Sequence, residues 1–426
     1  MLKLSGKTIE SLYLKNKTID KAYVNGKLIF NKTKFIKPYY CEVEYIESTG
    51  TQYIDTEISP TNKTKWEIKF AFTKDVTGQL MGAGHAGDYR FNIGIESGKF
   101  RFAIGSGWTT LAETKDTDIH TWVLNSENSS CSLDNITVFS TYSSNFSATD
   151  YHIVLCNRAV GSNYCSIKIY GSKVYTNNIL VRDYIPVLDN NMQPCLYDKI
   201  SKNLFYNQGT GSFLYGRQIH EVEYLESTGE QYIDTGLLST ANSTVDVTFN
   251  LSDTTKTSSN NVAIFGGREN STARTFTYFF LASTSPQYFR FDFKGQSQIG
   301  SSNEMAIDEN SKYRFTFDGQ TIQTTNLTTN ESVTKSLTAS DLFTPYPISL
   351  FAVNTAGTIG TYLKGKIYNY KYSDGTNSID LYPAVDENGK SFMFDRISHT
   401  IFDNSGTGEF LYPPVKLKYI DSNGEQ

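Results

Sequence analysis

Cysteine is scarce in this chain and unevenly placed: five occur in 426 residues, Cys41, Cys131, Cys156, Cys165 and Cys195, and none in the second half. An odd count without a C-x-x-C pair argues against a disulfide framework or a cysteine zinc site. Reduced thiols suit a protein that folds in the cytosol. Charge is sparse too, at 19% of residues with a net of −5 and no runs, so neither nucleic acid nor a membrane is an expected partner. No stretch approaches eighteen apolar residues, so no transmembrane helix is expected. The N-terminal MLKLSGKTIESLYLKNK lacks the apolar core of a secretory signal. Helical windows rich in Ala, Leu and Glu are missing; Tyr 29, Phe 27 and abundant Thr, Ser, Asn and Gly point instead to strands and turns.

What the chain does have is repetition. Glu42–Thr56 reads EVEYIESTGTQYIDT and Glu221–Thr235 reads EVEYLESTGEQYIDT. Each alternates as a half-buried strand does, turns at Ser-Thr-Gly and resumes as a second short strand, which makes a β-hairpin. The closing stretches also match: LYDKISKNLFYNQGTGSFLYG over Leu196–Gly216 and MFDRISHTIFDNSGTGEFLYP over Met393–Pro413. The opening copies lie 179 residues apart and Asp198 lies 197 before Asp395. Two tandem domains of one fold follow, the second with about eighteen extra residues in loops or an edge strand between Ser239 and Leu342. Gly50, Gly229, Gly209 and Gly406 are expected in tight turns with positive φ.

Order along the chain then suggests four segments. Residues 1–36 hold a ten-residue repeat, Lys7-Thr8-Ile9 and Lys17-Thr18-Ile19 followed by Lys27-Leu28-Ile29, with Asn25-Gly26 as a hairpin turn. This reads as a three-stranded meander too small to bury its own apolar face. Ile9, Leu12, Leu14, Ile19, Val24 and Ile29 therefore need a partner: other copies of the chain, the first large domain or another protein. The large domains run over 41–216 and 221–414, and their short strands, with turns every eight to twelve residues, indicate antiparallel jelly-roll sandwiches in an all-β fold. Only Arg217–His220 separates them, which limits relative motion. In the tail, 415–426, Val415–Ile420 alternates apolar residues with lysine and could add an edge strand.

Catalytic and metal patterns are weak. Glu42 and Glu44, repeated as Glu221 and Glu223, share a face, but a solvated face explains them better than a glycosidase acid pair. The five histidines sit in unrelated contexts, where surface or loop positions are the default. Asp189 and Asp386 are matched and read as turn caps rather than metal ligands. No cofactor or metal is expected. For a sugar, a tryptophan among glycines is the natural platform, which singles out Trp108; Trp66 and Trp122 alternate with core residues and belong inside.

The hairpin YIESTGTQYIDT, the strand KGKIYNYKY and the close YDKISKNLFYNQGTGSF resemble the laminin-G-like, concanavalin-type jelly-roll domains of bacteriophage and prophage structural proteins. The likeness spans both large domains, and the N-terminal repeats resemble the short β-modules that begin phage fibre and appendage proteins. It implies a non-enzymatic virion protein (fibre, appendage or head decoration) assembled in the host cytoplasm. Its N-terminal module would hold other virion proteins, with a trimer as the expected homo-oligomer and host-surface carbohydrate as the external partner. A bacterial surface adhesin or carbohydrate-binding module is the alternative, and it requires export.

Overall fold

The computed structural model describes residues 37–73, 80–84, 90–140, 146, 150–158, 164–253, 261–270, 275–281, 287–293, 296–299, 305, 307–309, 311–337 and 343–414, together with the backbone of six short strands before residue 32. The chain is all-β, and no helix occurs among the described residues. In Thr64–Phe72 the side chains alternate: Trp66, Ile68 and Phe70 are buried, while Lys65, Glu67 and Lys69 are half-buried on the other face. That strand lies between His120–Asn125 and Ile167–Thr176. Facing this sheet, Leu80–Ala83, Phe91–Glu96, Lys99–Ile104 and Trp108–Thr114 pair in succession as a second one. Aromatic rings fill the gap: Trp122 stacks 5.9 Å from Phe70 and meets Phe100 edge-on at 5.5 Å. Trp66 and Trp122 are each 1% exposed, the core places expected of them.

The second sandwich repeats this plan. Thr244–Leu251 lies between Lys312–Phe317 and Lys364–Ser373, opposite a sheet of Asn261–Arg268, Thr275–Leu281, Tyr288–Phe293 and Gln296–Ile299. Its core is richer in aromatics, with Tyr278 stacked 3.9 Å from Phe315 and its hydroxyl 2.8 Å from Thr324 Oγ1. Ladder positions 66 and 245 stand 179 apart, whereas His120 and Tyr313 stand 193 apart. Most of the insertion therefore falls between Leu251 and Lys312, inside the expected span.

The repeated motifs are explained by a clamp within each sandwich. Gln52 Oε1 accepts the Thr49 amide at 2.9 Å, and Gln231 Oε1 accepts the Thr228 amide at the same distance, which closes the Ser-Thr-Gly turn. Gly50 and Gly229 have φ of 106° and 110°, as the turn requires. The closing loop grips this hairpin: Asn207 Oδ1 accepts the amides of Tyr53 and Gly209, and Asn404 Oδ1 those of Tyr232 and Gly406. Gly209 and Gly406 depart from the expectation, since positive φ falls on Gly211 and Gly408 instead. Close approach is what keeps the first two small: a Cβ there would stand 2.0 Å from Thr51 O and 2.1 Å from Glu230 O.

The junction between the sandwiches is a strand. In Gln218–Glu221 the first two residues pair with Val43 and Glu42 of the first sandwich, and the last two pair with Val385 and Ala384 of the second. One sheet thus runs through both. Arg217 reinforces it with paired bonds to Asp403 at 2.8 and 3.2 Å and a contact to Glu44 at 3.5 Å. Glu42 and Glu44 are consequently half-buried beneath the junction instead of lining a solvated face.

Before residue 32 the described backbone pairs Lys3–Leu4 with Lys7–Thr8, Leu12–Leu14 with Lys17–Ile19, and Lys21–Val24 with Lys27–Asn31. The ten-residue period sets this, because the registers Leu4↔Lys7, Leu14↔Lys17 and Val24↔Lys27 each leave a two-residue connection. Leu12, Leu14, Ile19, Val24 and Ile29 fall on these strands. Ile9, the side chains of all six anchoring candidates and the tail 415–426 lie outside the described residues.

Candidate functional site

All five cysteines are buried and free. Burial pushes the Cys41 and Cys195 thiols up to about 12, which makes them poor nucleophiles. Asp189 and Asp386 cap turns, Asp189 Oδ1 accepting the Asn191 and Gln193 amides and Asp386 Oδ1 those of Asn388 and Lys390. No group of three or more metal-ligating side chains occurs among the described residues.

Trp108 begins a strand, Trp108–Thr114, rather than sitting in a loop, and is half-buried. The Arg101 guanidinium lies 4.1 Å from its ring centre and is itself held by Glu96 at 2.5 Å. The chain's own cation thus covers one face of the expected sugar platform.

A cleft of about 220 Å³ lies where the turn Ile397–His399 of the second sandwich meets the outer face of the first. The first sandwich contributes Glu67, Lys69, Tyr170, Lys173 and Asp183 through the outward positions of neighbouring strands. Asp395 builds the turn: its Oδ1 accepts the Asp380 and Ile397 amides, its Oδ2 the Ser398 amide and hydroxyl. Asp198 holds the matching turn of the first sandwich.

Lys69 bridges the two bodies, donating to Ser398 O at 2.9 Å and Thr400 Oγ1 at 2.6 Å. Burial pulls its ammonium down to about 8, against the opposing pull of Asp395 and Glu44. His399 has a left-handed φ of 54°, is 7% exposed and meets Phe394 edge-on, and neither ring nitrogen has a hydrogen-bond partner among the described residues. Burial lowers its pKa to about 4, with Glu42 and Asp183 opposing the shift and Lys199 and Lys69 adding to it. Glu67 and Lys173 form no ion pair among the described residues, while Asp183 pairs with Lys199 at 3.0 Å. Two carboxylates and two ammoniums balance in charge around the cleft, an arrangement suited to a small neutral polar molecule.

A pH prediction follows. The unfolded chain takes up a proton on residue 399 as pH falls below about 6.5, and the folded chain refuses it until about 4. The contribution of neutral His399 is therefore fully present above 6.5 and lost on descent to 4, on the order of 3 kcal/mol. Urea melts of the parent and of His399→Asn between pH 7 and 4.5 are expected to converge as pH falls; parallel curves contradict this.

Sequence reasoning found Trp66, Trp122 and the two capping aspartates but missed Lys69 and His399. Each finds its surroundings in a body some 330 residues away in sequence, a juxtaposition no local pattern encodes. The matching of DKISK with DRISH marks the turn but not what it docks on.

No family model matches the chain, and no curated protein matches its sequence. Among solved structures it is similar to domains LG4-5 of the mouse laminin α1 chain, at 10% identity and a TM-score of 0.27, covering 88% of this chain and 96% of that one. It is also similar to the LG1-3 region of the laminin α2 chain, at 10% identity and a TM-score of 0.28, covering 84% and 67%.

Proposed function

We propose that the chain is a non-enzymatic structural protein of a bacteriophage virion, a fibre, appendage or head decoration, assembled in the host cytoplasm. The observation that carries the reading is the shared strand Gln218–Glu221, which joins two complete sandwiches into one body. The N-terminal repeat supports it as the attachment module, since hairpins of two to five residues per strand need a partner to persist. Its partners in this reading are other virion proteins and further copies of the chain, with a trimer as the first expectation. Host-surface carbohydrate is the ligand the cleft or Trp108 would meet.

The test is a shortened chain beginning at Lys37, which retains Tyr39, buried 5.0 Å from Tyr197. It is expected to fold and melt with the same transitions as the full chain, yet to be absent from purified particles and to lose self-association. The double substitution Leu14→Asp and Val24→Asp is expected to copy it, each buried charge costing several kcal/mol of association. Normal incorporation of the shortened chain places attachment elsewhere and ends this reading.

A further inference from the structure

The two sandwiches differ at one matched edge. In the first, the Glu44 amide donates to Arg217 O at 2.9 Å, and Val43 and Glu42 pair with Gln218 and Ile219. In the second, the matched Glu223 amide has no backbone acceptor among the described residues. Exposure follows: Glu42 and Glu44 are half-buried, Glu221 and Glu223 exposed. Among the described residues the second sandwich thus presents the strand edge that the first has covered, with Glu221 paired to Arg396 at 2.8 Å and Glu223 to Lys312 at 3.3 Å.

The chain carries a segment suited to it. Lys416–Gln426, KLKYIDSNGEQ, repeats Glu221–Gln231, EVEYLESTGEQ: Tyr, Ser, Gly, Glu and Gln recur at the same offsets, and Ile and Asp replace Leu and Glu. Structural roles attach to those letters in both described copies. The Leu225 position is fully buried, the Gly229 position has positive φ, and the Gln231 position closes the turn. What differs is charge, since Lys416 and Lys418 stand where both other copies have glutamate.

We propose that the tail is a third copy of the opening motif and that its first residues pair on the Glu221–Val222 edge as Gln218–Ile219 pairs on Glu42–Val43. Matching Tyr412 with Tyr215 carries the register over: Val415 opposite Val222 and Lys416 opposite Glu221, an opposite-charge cross-strand pair. In this register Pro414 O is the acceptor for the Glu223 amide, a bond not made among the described residues. The occupant of this edge is the segment Val415–Lys418 of the same chain.

Hydrogen exchange resolved to single amides in the full chain tests this. Slow exchange is expected at Glu223 and Lys416, and ending the chain at Pro414 is expected to speed Glu223 at least tenfold. Lys416→Pro, which removes the pairing amide, is expected to do the same, while Lys416→Arg leaves Glu223 slow. An unchanged rate at Glu223 after the deletion overturns the proposal, and so does a protected tail beside a fast Glu223.

Discussion

Replacing Gly406 by alanine is expected to destabilise the second sandwich by about 3 kcal/mol or more, and Gly209→Ala to do the same to the first. Neither effect comes from φ. The added Cβ at position 406 would lie 2.1 Å from Glu230 O and 2.9 Å from Gln231 Cα, so the obstacle is backbone, which cannot rotate aside as a side chain can. Relief requires the closing loop to lift off the opening hairpin, which breaks the Asn404 bonds to the Tyr232 and Gly406 amides together. Gly98→Ala provides the control: φ is +74° but nothing lies within 4 Å, so the cost is about 1 kcal/mol of backbone strain alone. Urea denaturation of the three variants checks the ranking; equal losses at 406 and 98 contradict the close-approach account.

Asp395→Ala is expected to cost about 3–5 kcal/mol and to loosen the junction as well. The carboxylate is fully buried and accepts three amides and a hydroxyl, so its removal leaves several donors without acceptors at once. The same turn carries Ser398 and Thr400, which receive Lys69 from the other sandwich. Asp198→Ala removes the matching support in the first sandwich but no contact across the junction. Burial raises the Asp198 carboxyl, yet the Asp183, Ile200 and Ser201 amides outweigh it and hold it below its ordinary value. Stability from that group is present above about pH 4 and lost as pH falls further. Thermal melts with one probe per sandwich are expected to show Asp395→Ala altering both transitions and Asp198→Ala chiefly the first. Identical profiles would remove the junction from the explanation.

These cases show what local sequence encodes. The opening and closing motifs are legible as hairpin and clamp because each letter meets a need inside one sandwich: glycine at a turn, asparagine between two amides, aspartate under a tight loop. The alternation in Thr64–Phe72 likewise predicts which tryptophan is core. The junction is not legible in this way. Arg217–His220 reads as a short connector, yet Gln218–His220 belong to a strand that pairs with both sandwiches, and Glu42 is half-buried beside it rather than solvated. Trp108 stands among glycines as an exposed platform would, but Arg101, seven residues earlier on the neighbouring strand, lies over its ring.

The central claim is that two sandwiches joined through Gln218–Glu221 behave as one body. A pulsed electron–electron distance measurement between spin labels at Asn177 and Asn330, both exposed turn positions in different sandwiches, tests it most directly, because the native cysteines are buried. One narrow distance distribution, unchanged by salt, is the predicted result. A broad or multi-peaked distribution would show the sandwiches moving independently and would contradict the claim.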